Sequence, residues 1–344
     1  MLAAVLLLAA AALALLGVCI GSAGFDGWAQ LERLVHGDGI AQQIVLQIRL
    51  PRTLGAWLTG ALLGLGGALA QGLLRNPLAD PYLLGSASGA SLGVALLLAA
   101  LSLWPAVPTA SGAGGVATGL ADSVAIGWAA RLGLTGAAFI GALTAALLTL
   151  ALARGVQQTL RLLLAGVVVG MVLGAAASWL MLWLPPIMRT MQGFMLGSTA
   201  FIGWPSSALL GATLLICLLP AWVLARALDA LTLGENTALS LGLPLARVRA
   251  ALIGVLALAT GAAVAQAGLI AFVGLAAPHL ARTLARPTHR ALTLLATLLG
   301  GALLLAADVL ARTLLAPREL PVGVLTALIG GGYLLWLMRA KDRS

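Results

Sequence analysis

The stretch that decides the fold reads Arg49-Leu-Pro-Arg-Thr-Leu-Gly-Ala-Trp-Leu-Thr-Gly-Ala-Leu-Leu-Gly-Leu-Gly-Gly-Ala-Leu-Ala-Gln-Gly-Leu-Leu-Arg-Asn-Pro77. Between the arginines at its start and the polar turn Arg75-Asn76-Pro77 lies an uncharged segment of about 20 residues, the length that a helix needs to cross a bilayer. Gly60 and Gly64 form a GxxxG pair and Gly67 follows one turn later, a spacing that lets helices approach closely in lipid. We therefore predict a tightly packed transmembrane helix with arginines at its entrance and a polar turn at its exit.

The composition extends this prediction to the whole chain. Of its 344 residues, 61% are hydrophobic and only 8% are charged, whereas soluble domains carry about 25% charged residues. We therefore expect a single all-α, polytopic membrane domain over residues 1–344. In a soluble protein a net charge of +9 would indicate a nucleic-acid partner. Here single arginines separate apolar segments, so they are expected to set the membrane topology.

Apolar segments bounded by polar, proline or glycine residues predict ten transmembrane helices. They lie near residues 1–20, 50–72, 83–104, 133–153, 160–184, 207–225, 248–267, 269–285, 291–311 and 319–338. The seventh and eighth are nearly continuous, so a count of nine stays open. The first has no basic residue before it and is longer than the apolar part of a signal peptide, so we expect it to be retained as a helix.

Lysine and arginine give the expected orientation. The basic tail Arg339-Ala-Lys-Asp-Arg343 predicts a cytoplasmic C-terminus, and ten spans then place the N-terminus on the same side. Most of the 19 basic residues fall on this cytoplasmic side. Arg49, Arg52 and Arg312 fall on the external side of the membrane, where positive residues are disfavoured. Their presence there therefore indicates a functional role.

Three connections between the predicted spans are long. Residues 21–48 are polar and external. Residues 105–132 are rich in Gly, Ala, Ser and Pro and are expected to form a flexible external loop, because they cannot bury enough apolar surface. Residues 226–249 form the largest cytoplasmic loop, in which Leu233-Gly234 and Leu241-Gly242 bracket an amphipathic turn. This pattern predicts two short helices, joined by glycine, at the membrane surface.

The sequence carries no recognisable catalytic or cofactor site. A phosphate-binding P-loop needs a lysine after its glycines, and the only lysine, Lys341, lies in the tail. No HExxH or paired-carboxylate pattern is present. The cysteines and histidines are far apart in the chain: Cys19, Cys217, His36, His279 and His289. We therefore expect no metal, no cofactor and no covalent chemistry.

Acidic residues are almost absent from the predicted spans. Asp308, near the outer end of the ninth span, is the chief candidate for a buried charge. Transporters driven by protons or sodium generally need ionisable groups or broken helices at their sites. The sequence gives little support to a self-powered secondary transporter or channel, which stays the alternative. The energy for transport is therefore expected to come from a partner.

A set of short motifs runs through the chain from about residue 45. They are Arg49-Leu-Pro-Arg52, Gln71, Arg75-Asn-Pro-Leu-Ala79, Leu84-Gly-Ser86, Leu164-Ala-Gly166, Gly197-Ser198, Leu233-Gly-Glu235, Leu241-Gly-Leu-Pro244, Gly268-Leu-Ile-Ala-Phe-Val-Gly-Leu275 and Glu319-Leu-Pro-Val-Gly323. Together they resemble the FecCD/BtuC family, the permease subunits of ABC importers for iron–siderophore complexes, haem and vitamin B12. The chain departs from the family in a longer 105–132 loop and in Gly330-Gly-Gly-Tyr333 in the last span.

The resemblance implies a BtuC-like permease fold that performs transport and no catalysis. Its partners would be a second copy of the chain, two cytoplasmic ATP-binding-cassette ATPase subunits, and a periplasmic or lipid-anchored solute-binding protein. The location would be a bacterial inner membrane, with both termini cytoplasmic. The cargo would be an iron complex (siderophore or haem), with cobalamin close behind.

The resemblance also assigns docking residues. In the family, arginines at the positions of Arg49, Arg52 and Arg312 receive acidic residues of the binding protein. Separated charge pairs of this kind give register and fast encounter more than affinity. The alternative is that these arginines anchor helix ends at the interface by snorkelling. We expect docking less of Arg189 and Arg318, which also fall on the outer face.

Coupling to the ATPase is expected in the 226–249 loop. The residues that match the family's coupling helices are Leu233, Gly234, Glu235, Ala238, Leu241 and Gly242. The alternative is an ordinary amphipathic surface helix. Arg75-Asn76-Pro77 is either a further coupling contact or a structural turn, since Asn-Pro is a turn signal.

Small residues near two predicted helix ends are candidates for the translocation pathway. They are Gly85, Ser86, Ser88, Gly89, Gly197 and Ser198. The alternative is that they pack helices, which small residues at this spacing more often do. Pro278-His279 is expected to mark a kink within a span.

Overall fold

The computed structural model describes residues 2–21, 24–25, 39–103, 120–153, 159–285 and 287–341, most of them helical. The helices in these ranges are α1 (Leu2–Cys19), α2 (Gly39–Leu74), α3 (Ser86–Leu103), α4 (Leu120–Leu152), α5 (Thr159–Trp183), α6 (Pro185–Leu196), α7 (Trp204–Thr232), α8 (Glu235–Ser240), α9 (Leu245–Ala267), α10 (Val273–Ala285), α11 (His289–Thr313) and α12 (Val322–Lys341). Two short strands, β1 (Ile20–Gly21) and β2 (Gly24–Phe25), pair antiparallel after α1. The predicted all-α, polytopic class is confirmed.

In the described part of the chain, eight helices are long and apolar enough to cross a membrane: α1, α2, α3, α4, α5, α7, α9 and α11. The other two predicted spans are helical as well. α12 has 20 residues, but α10 has only 13. At 1.5 Å per residue α10 is about 20 Å long, so it cannot cross the roughly 30 Å hydrocarbon core by itself.

The predicted external loop at 105–132 was wrong for its second half, because α4 begins at Leu120. Residues 120–132 contain one glycine and no proline, so nothing in them stops a helix. Residues 104–119 lie outside the described part of the chain. So do residues 22–23 and 26–38 of the 21–48 connection, whereas α2 already begins at Gly39.

The 226–249 loop contains one short helix and not the two that were predicted. α7 continues to Thr232, α8 covers six residues, and α9 begins at Leu245. The first Leu-Gly pair ends α7, because Gly234 adopts φ +111°, a conformation that a residue with a side chain rarely adopts. The amphipathic helix α6, which begins at two prolines, had not been predicted.

α2 is the central helix of the bundle. Its most apolar 18-residue window is 89% buried, whereas the windows of α1, α4, α5 and α7 are 17–33% buried. A Cβ atom at Gly64 would overlap the carbonyl oxygen of Ala296 in α11, and one at Gly67 would overlap that of Gly274 in α10. The glycines therefore bring three backbones into direct contact, as their spacing predicted.

The bundle has two polar ends. α2 and α11 run antiparallel, so that Arg52 lies beside Asp308 at one end and Gly72 beside His289 at the other. α7 reaches the second end, where its Asp229 pairs with His289, and α8 follows. We call the first the arginine end and the second the α8 end.

Candidate functional site

Asp308, on the last turns of α11, is the centre of the arginine end. Its side chain is fully buried, and its Oδ1 accepts hydrogen bonds from Arg52 Nη2 at 3.1 Å and Nε at 3.3 Å. Thr199, in the α6–α7 connection, donates its hydroxyl to the same oxygen at 2.5 Å. Arg312, one turn along α11, pairs with Oδ2. A single carboxylate thus joins α2, α11 and the α6–α7 connection.

Glu319 completes this group of charges. Arg52 Nη1 donates to both of its carboxylate oxygens, at 3.0 and 2.8 Å. Two arginines therefore face two carboxylates, and the cluster is neutral. We call Arg52, Asp308, Arg312 and Glu319 the arginine cluster. Glu319 differs from Asp308 in that its side chain is 28% exposed, whereas Asp308 is fully buried.

The arginines at this end also hold the end of α1. Arg49 Nη1 donates to the carbonyl oxygens of Val18 and Cys19, both at 3.1 Å. Arg312 Nη1 donates to the carbonyl oxygen of Gly17 at 2.8 Å. Because the last turn of a helix has no internal partners for its carbonyls, these guanidinium groups satisfy acceptors that would otherwise be unpaired.

The three predicted docking arginines therefore lie together, and they are well buried: Arg49, Arg52 and Arg312 are 9%, 8% and 1% exposed. Arg189 and Arg318, of which docking was expected less, are exposed. Sequence analysis singled out Asp308 but missed its partners. The Asp308–Arg312 pair could have been found, since four residues separate neighbours on a helix face. Glu319 lies within a quoted motif but carried no assigned role.

The α8 end presents an exposed apolar turn. Leu233, Leu239 and Leu241 are 56–69% exposed around a fully buried Ala238. The amide of Leu243 donates to the carbonyl oxygen of Ala238 at 3.3 Å, which closes the end of α8 in the hydrogen-bond pattern of a Schellman motif.

The two predicted glycines are what shape this turn. Gly234 precedes α8 with φ +111°, and Gly242 follows it with φ +75°. Both values favour glycine, because a Cβ atom is poorly tolerated there. The helix is thereby held in a fixed position between α7 and α9. Glu235 is also a predicted coupling residue, but its side chain lies outside the described part of the structure.

Polar contacts tie the surrounding helices to one another at the α8 end. The His289 amide donates to Asp229 Oδ1 at 3.1 Å, and the ring Nδ1 lies 2.6 Å from the same oxygen, which joins α11 to α7. Gln71 Nε2 donates to the Leu275 carbonyl oxygen at 3.2 Å, and Gln71 accepts from Arg282, which joins α2 to α10. These contacts link α7 to α11 and α2 to α10 near the α8 end.

Arg75-Asn76-Pro77 forms a turn. Arg75 ends α2 in the left-handed conformation, with φ +49°. The Leu78 amide donates to Asn76 Oδ1 at 2.9 Å, as in an Asx turn. The structural alternative thus accounts for Asn76, and a coupling contact at this turn stays a prediction.

The six candidate pathway residues fall into two groups. Gly85 and Ser88 line a cavity of about 470 Å³ between the start of α3 and the face of α5 that carries Gly166 and Gly170. Ser86 is used in packing, since it donates to the Pro81 carbonyl oxygen at 2.9 Å. Gly89 packs closely, because a Cβ atom there would overlap a carbonyl oxygen of α4, but it also lines a second cavity of about 390 Å³ between α3, α4 and α5.

The other two candidates, Gly197 and Ser198, lie in the α6–α7 connection, far along the chain from the residues that line that cavity. The Ser198 amide donates to the Ala267 carbonyl oxygen at 2.7 Å, and the Gly323 amide donates to that of Gly197 at 3.1 Å. In this conformation the packing alternative alone describes Ser86, Gly197 and Ser198. A pathway role stays a prediction, and Gly85 and Ser88 are its best-placed residues.

Eight apolar helices in the described part of the chain, each long enough to cross a bilayer, define a multi-pass membrane protein. Residues 6–340 match the profile of the FecCD transport family, and the chain belongs to that family. It is similar to the vitamin B12 import system permease protein BtuC of Salmonella paratyphi A, with 38% identity over 301 residues that cover 85% of this chain and 81% of the relative. The Salmonella typhimurium protein of the same name is 37% identical over 301 residues, with the same coverage.

Solved structures show the same fold. A metal-chelate type ABC transporter in an inward-facing conformation superimposes with a TM-score of 0.80 at 26% identity, and 98% of each chain is covered. PsaBC from Streptococcus pneumoniae, at 14% identity, shares the fold with a TM-score of 0.57 over 90% of this chain and 94% of the other. The chain is therefore a permease subunit of an ABC importer.

Proposed function

We propose that this permease moves a metal chelate from the periplasm to the cytoplasm across a bacterial inner membrane, powered by a separate ATPase. The observation that carries the proposal is the α8 end, where exposed leucines stand on a turn fixed by Gly234 and Gly242. Apolar side chains on a rigid helix are the usual anchors of a helix-in-groove contact. Here α8 would seat in a groove of each of two ATPase subunits.

The cargo is proposed from the relatives. The sequence motifs placed an iron complex first and cobalamin second. The BtuC proteins are named for vitamin B12 import and are 37–38% identical to this chain over 85% of its length. A solved structure that covers 98% of this chain is of a metal-chelate type ABC transporter. Both fit a bulky metal chelate, and we place cobalamin first within that class.

The partners follow from the two ends and from the exposed helices. A second copy of the chain would cover the apolar face of α5, whose Met171 and Leu182 are exposed and whose Met171 also borders the cavity with Ser88. The solute-binding protein would dock at the arginine end. Both termini would be cytoplasmic, because α1 ends at the arginine end and α12 begins next to it, so the N-terminus of α1 and the C-terminus of α12 would lie toward the α8 end.

The alternative of a self-powered transporter loses its chief support from the sequence. Asp308 is the buried acid on which that alternative depended. In the described part of the chain it is paired with two arginines and hydrogen-bonded to Thr199. Both oxygens of this carboxylate are therefore engaged by protein partners, which does not favour a site for a coupling ion.

Replacing Leu241 by serine tests the coupling role of α8. Loss of one leucine anchor from an interface costs about 2 kcal/mol, which is roughly a 30-fold loss of affinity. We expect the variant to fold, since Leu241 is exposed, but to bind the purified ATPase subunit about 30-fold more weakly in detergent and to lose transport-stimulated ATP hydrolysis.

The matched control is Leu314→Ser, a similarly exposed leucine at the arginine end. It removes the same apolar surface from the opposite side of the bundle, so ATPase binding should stay at the wild-type level. Equal ATPase affinity in Leu241→Ser and wild type would reject α8 as the coupling contact.

A further inference from the structure

The outward-facing member of the arginine cluster is Glu319. It lies in the connection between α11 and α12, where residues 313–319 are exposed, and its side chain is 28% exposed. Asp308 is fully buried beneath it. Of the two carboxylates that bind Arg52, only Glu319 can be replaced without opening the core of the bundle.

The hydrogen bonds of Arg52 show what such a replacement would require. Its Nε and Nη2 both donate to Asp308, and its Nη1 donates to both oxygens of Glu319 at 3.0 and 2.8 Å. The edge of the guanidinium that faces away from the core is therefore already occupied. A carboxylate that approaches from outside must take the place of Glu319.

The two ion pairs of Arg52 also differ in energy, and the pair with Glu319 is the weaker one. A partly exposed ion pair contributes little to stability, because solvent screens it and two side chains lose freedom. Removing one partner of a buried pair is strongly destabilising, because a charge is left buried and unpaired. An incoming carboxylate would thus exchange with Glu319 at almost no net cost, while Arg52 keeps Asp308.

We propose that Glu319 is an internal competitor that occupies Arg52 until an acidic residue of the solute-binding protein displaces it. This inference rests on the proposed docking at the arginine end. It reconciles docking with the burial of Arg52, since the arginine becomes available only by exchange. The displaced Glu319 lies three residues before α12, so docking would also release the connection that leads into that helix.

The test is Glu319→Gln in the permease–ATPase complex in nanodiscs, with affinity measured for the purified solute-binding protein of the same importer. Removing the competitor should tighten binding about two- to fivefold. Leu315→Lys is the matched control, since it changes the net charge by the same unit at an exposed position in the same connection. Its effect measures net charge alone.

A second readout follows Arg52 itself. Phenylglyoxal modifies accessible arginines, and mass spectrometry gives the rate at each position. Arg52 should react faster in Glu319→Gln than in wild type, and the binding protein should protect it. If the glutamine variant does not fold, Glu319→Asp, which shortens the side chain by one methylene, should shift both readouts in the same direction by a smaller amount.

The outcomes separate the inference from the docking proposal. Binding by wild type with no tightening in Glu319→Gln beyond that of Leu315→Lys would overturn the competitor role and leave docking intact. Binding that leaves Arg52 unprotected, or no binding at all, would overturn docking at this end and the competitor role with it.

Discussion

Replacing Asp308 by asparagine is expected to lower the stability of the bundle by about 3–5 kcal/mol, because it leaves a buried guanidinium without its charge partner. Asparagine has nearly the size of aspartate, so the change creates no cavity. Arg312 is 1% exposed and pairs with Asp308 alone among the carboxylates of the described cluster. We expect a large fall in the apparent melting temperature of the purified protein in detergent.

Two further variants test whether the loss of stability in Asp308→Asn comes from the unpaired buried charge. Glu319→Gln removes the exposed carboxylate of the same cluster and should cost no more than about 1 kcal/mol. The double variant Asp308→Asn with Arg312→Met removes one charge of each sign, so much of the lost stability should return. A melting temperature of Asp308→Asn equal to that of Glu319→Gln would contradict the buried-pair account.

Replacing Gly67 by alanine is expected to destabilise the bundle by about 3 kcal/mol, the upper part of the range for overpacking a core. The new methyl group would overlap the carbonyl oxygen of Gly274, which belongs to the α10 backbone and cannot rotate away. α2 and α10 would have to separate, and α2 is the helix around which the others pack. The yield of monodisperse protein and its melting temperature should both fall.

Gly254→Ala is the matched control for this change. Gly254 also lies within a long helix, α9, but a Cβ atom there would have no neighbour within 4 Å. Alanine is favoured over glycine in a helix interior by up to about 1 kcal/mol. The two glycine-to-alanine changes should therefore have opposite signs. A stable Gly67→Ala protein would show that the close approach of α2 and α10 is not needed.

The spans and the central packing could be predicted from the sequence because both have local signatures. Apolar segments of sufficient length report transmembrane helices, and the Gly60/Gly64/Gly67 spacing reports a face where backbones meet. The second half of the 105–132 segment was misassigned because composition was averaged over a stretch that ends inside α4. Helix α6 was missed because it is too short and too polar to register as a span.

The ion pairs at the arginine end could not be predicted from local sequence patterns. Topology placed Arg49, Arg52 and Arg312 on one side of the membrane, and the structure brings them together. Asp308 and Glu319 reach Arg52 across 256 and 267 residues of sequence. Nothing in the spacing of a single sequence reports such pairs, because they depend on how α2 and α11 pack.

The pathway residues could not be assigned for a different reason. Small residues serve equally well for lining a passage and for packing helices, so the pattern that contains Gly85 and Gly89 has two meanings. Gly89 packs against α4, and Gly85 borders a cavity that opens beside the exposed face of α5. If a second copy covers that face, the pathway is formed only in the assembly.

The most direct test of the central claim is uptake into proteoliposomes that contain the permease with or without its ATPase subunit. The solute-binding protein would be loaded with labelled cyanocobalamin or a labelled ferric siderophore, whichever it binds. The account predicts uptake only when the ATPase and ATP are both present, and only background uptake by the permease alone. Sustained uptake by this chain alone, driven by an ion gradient, would contradict it.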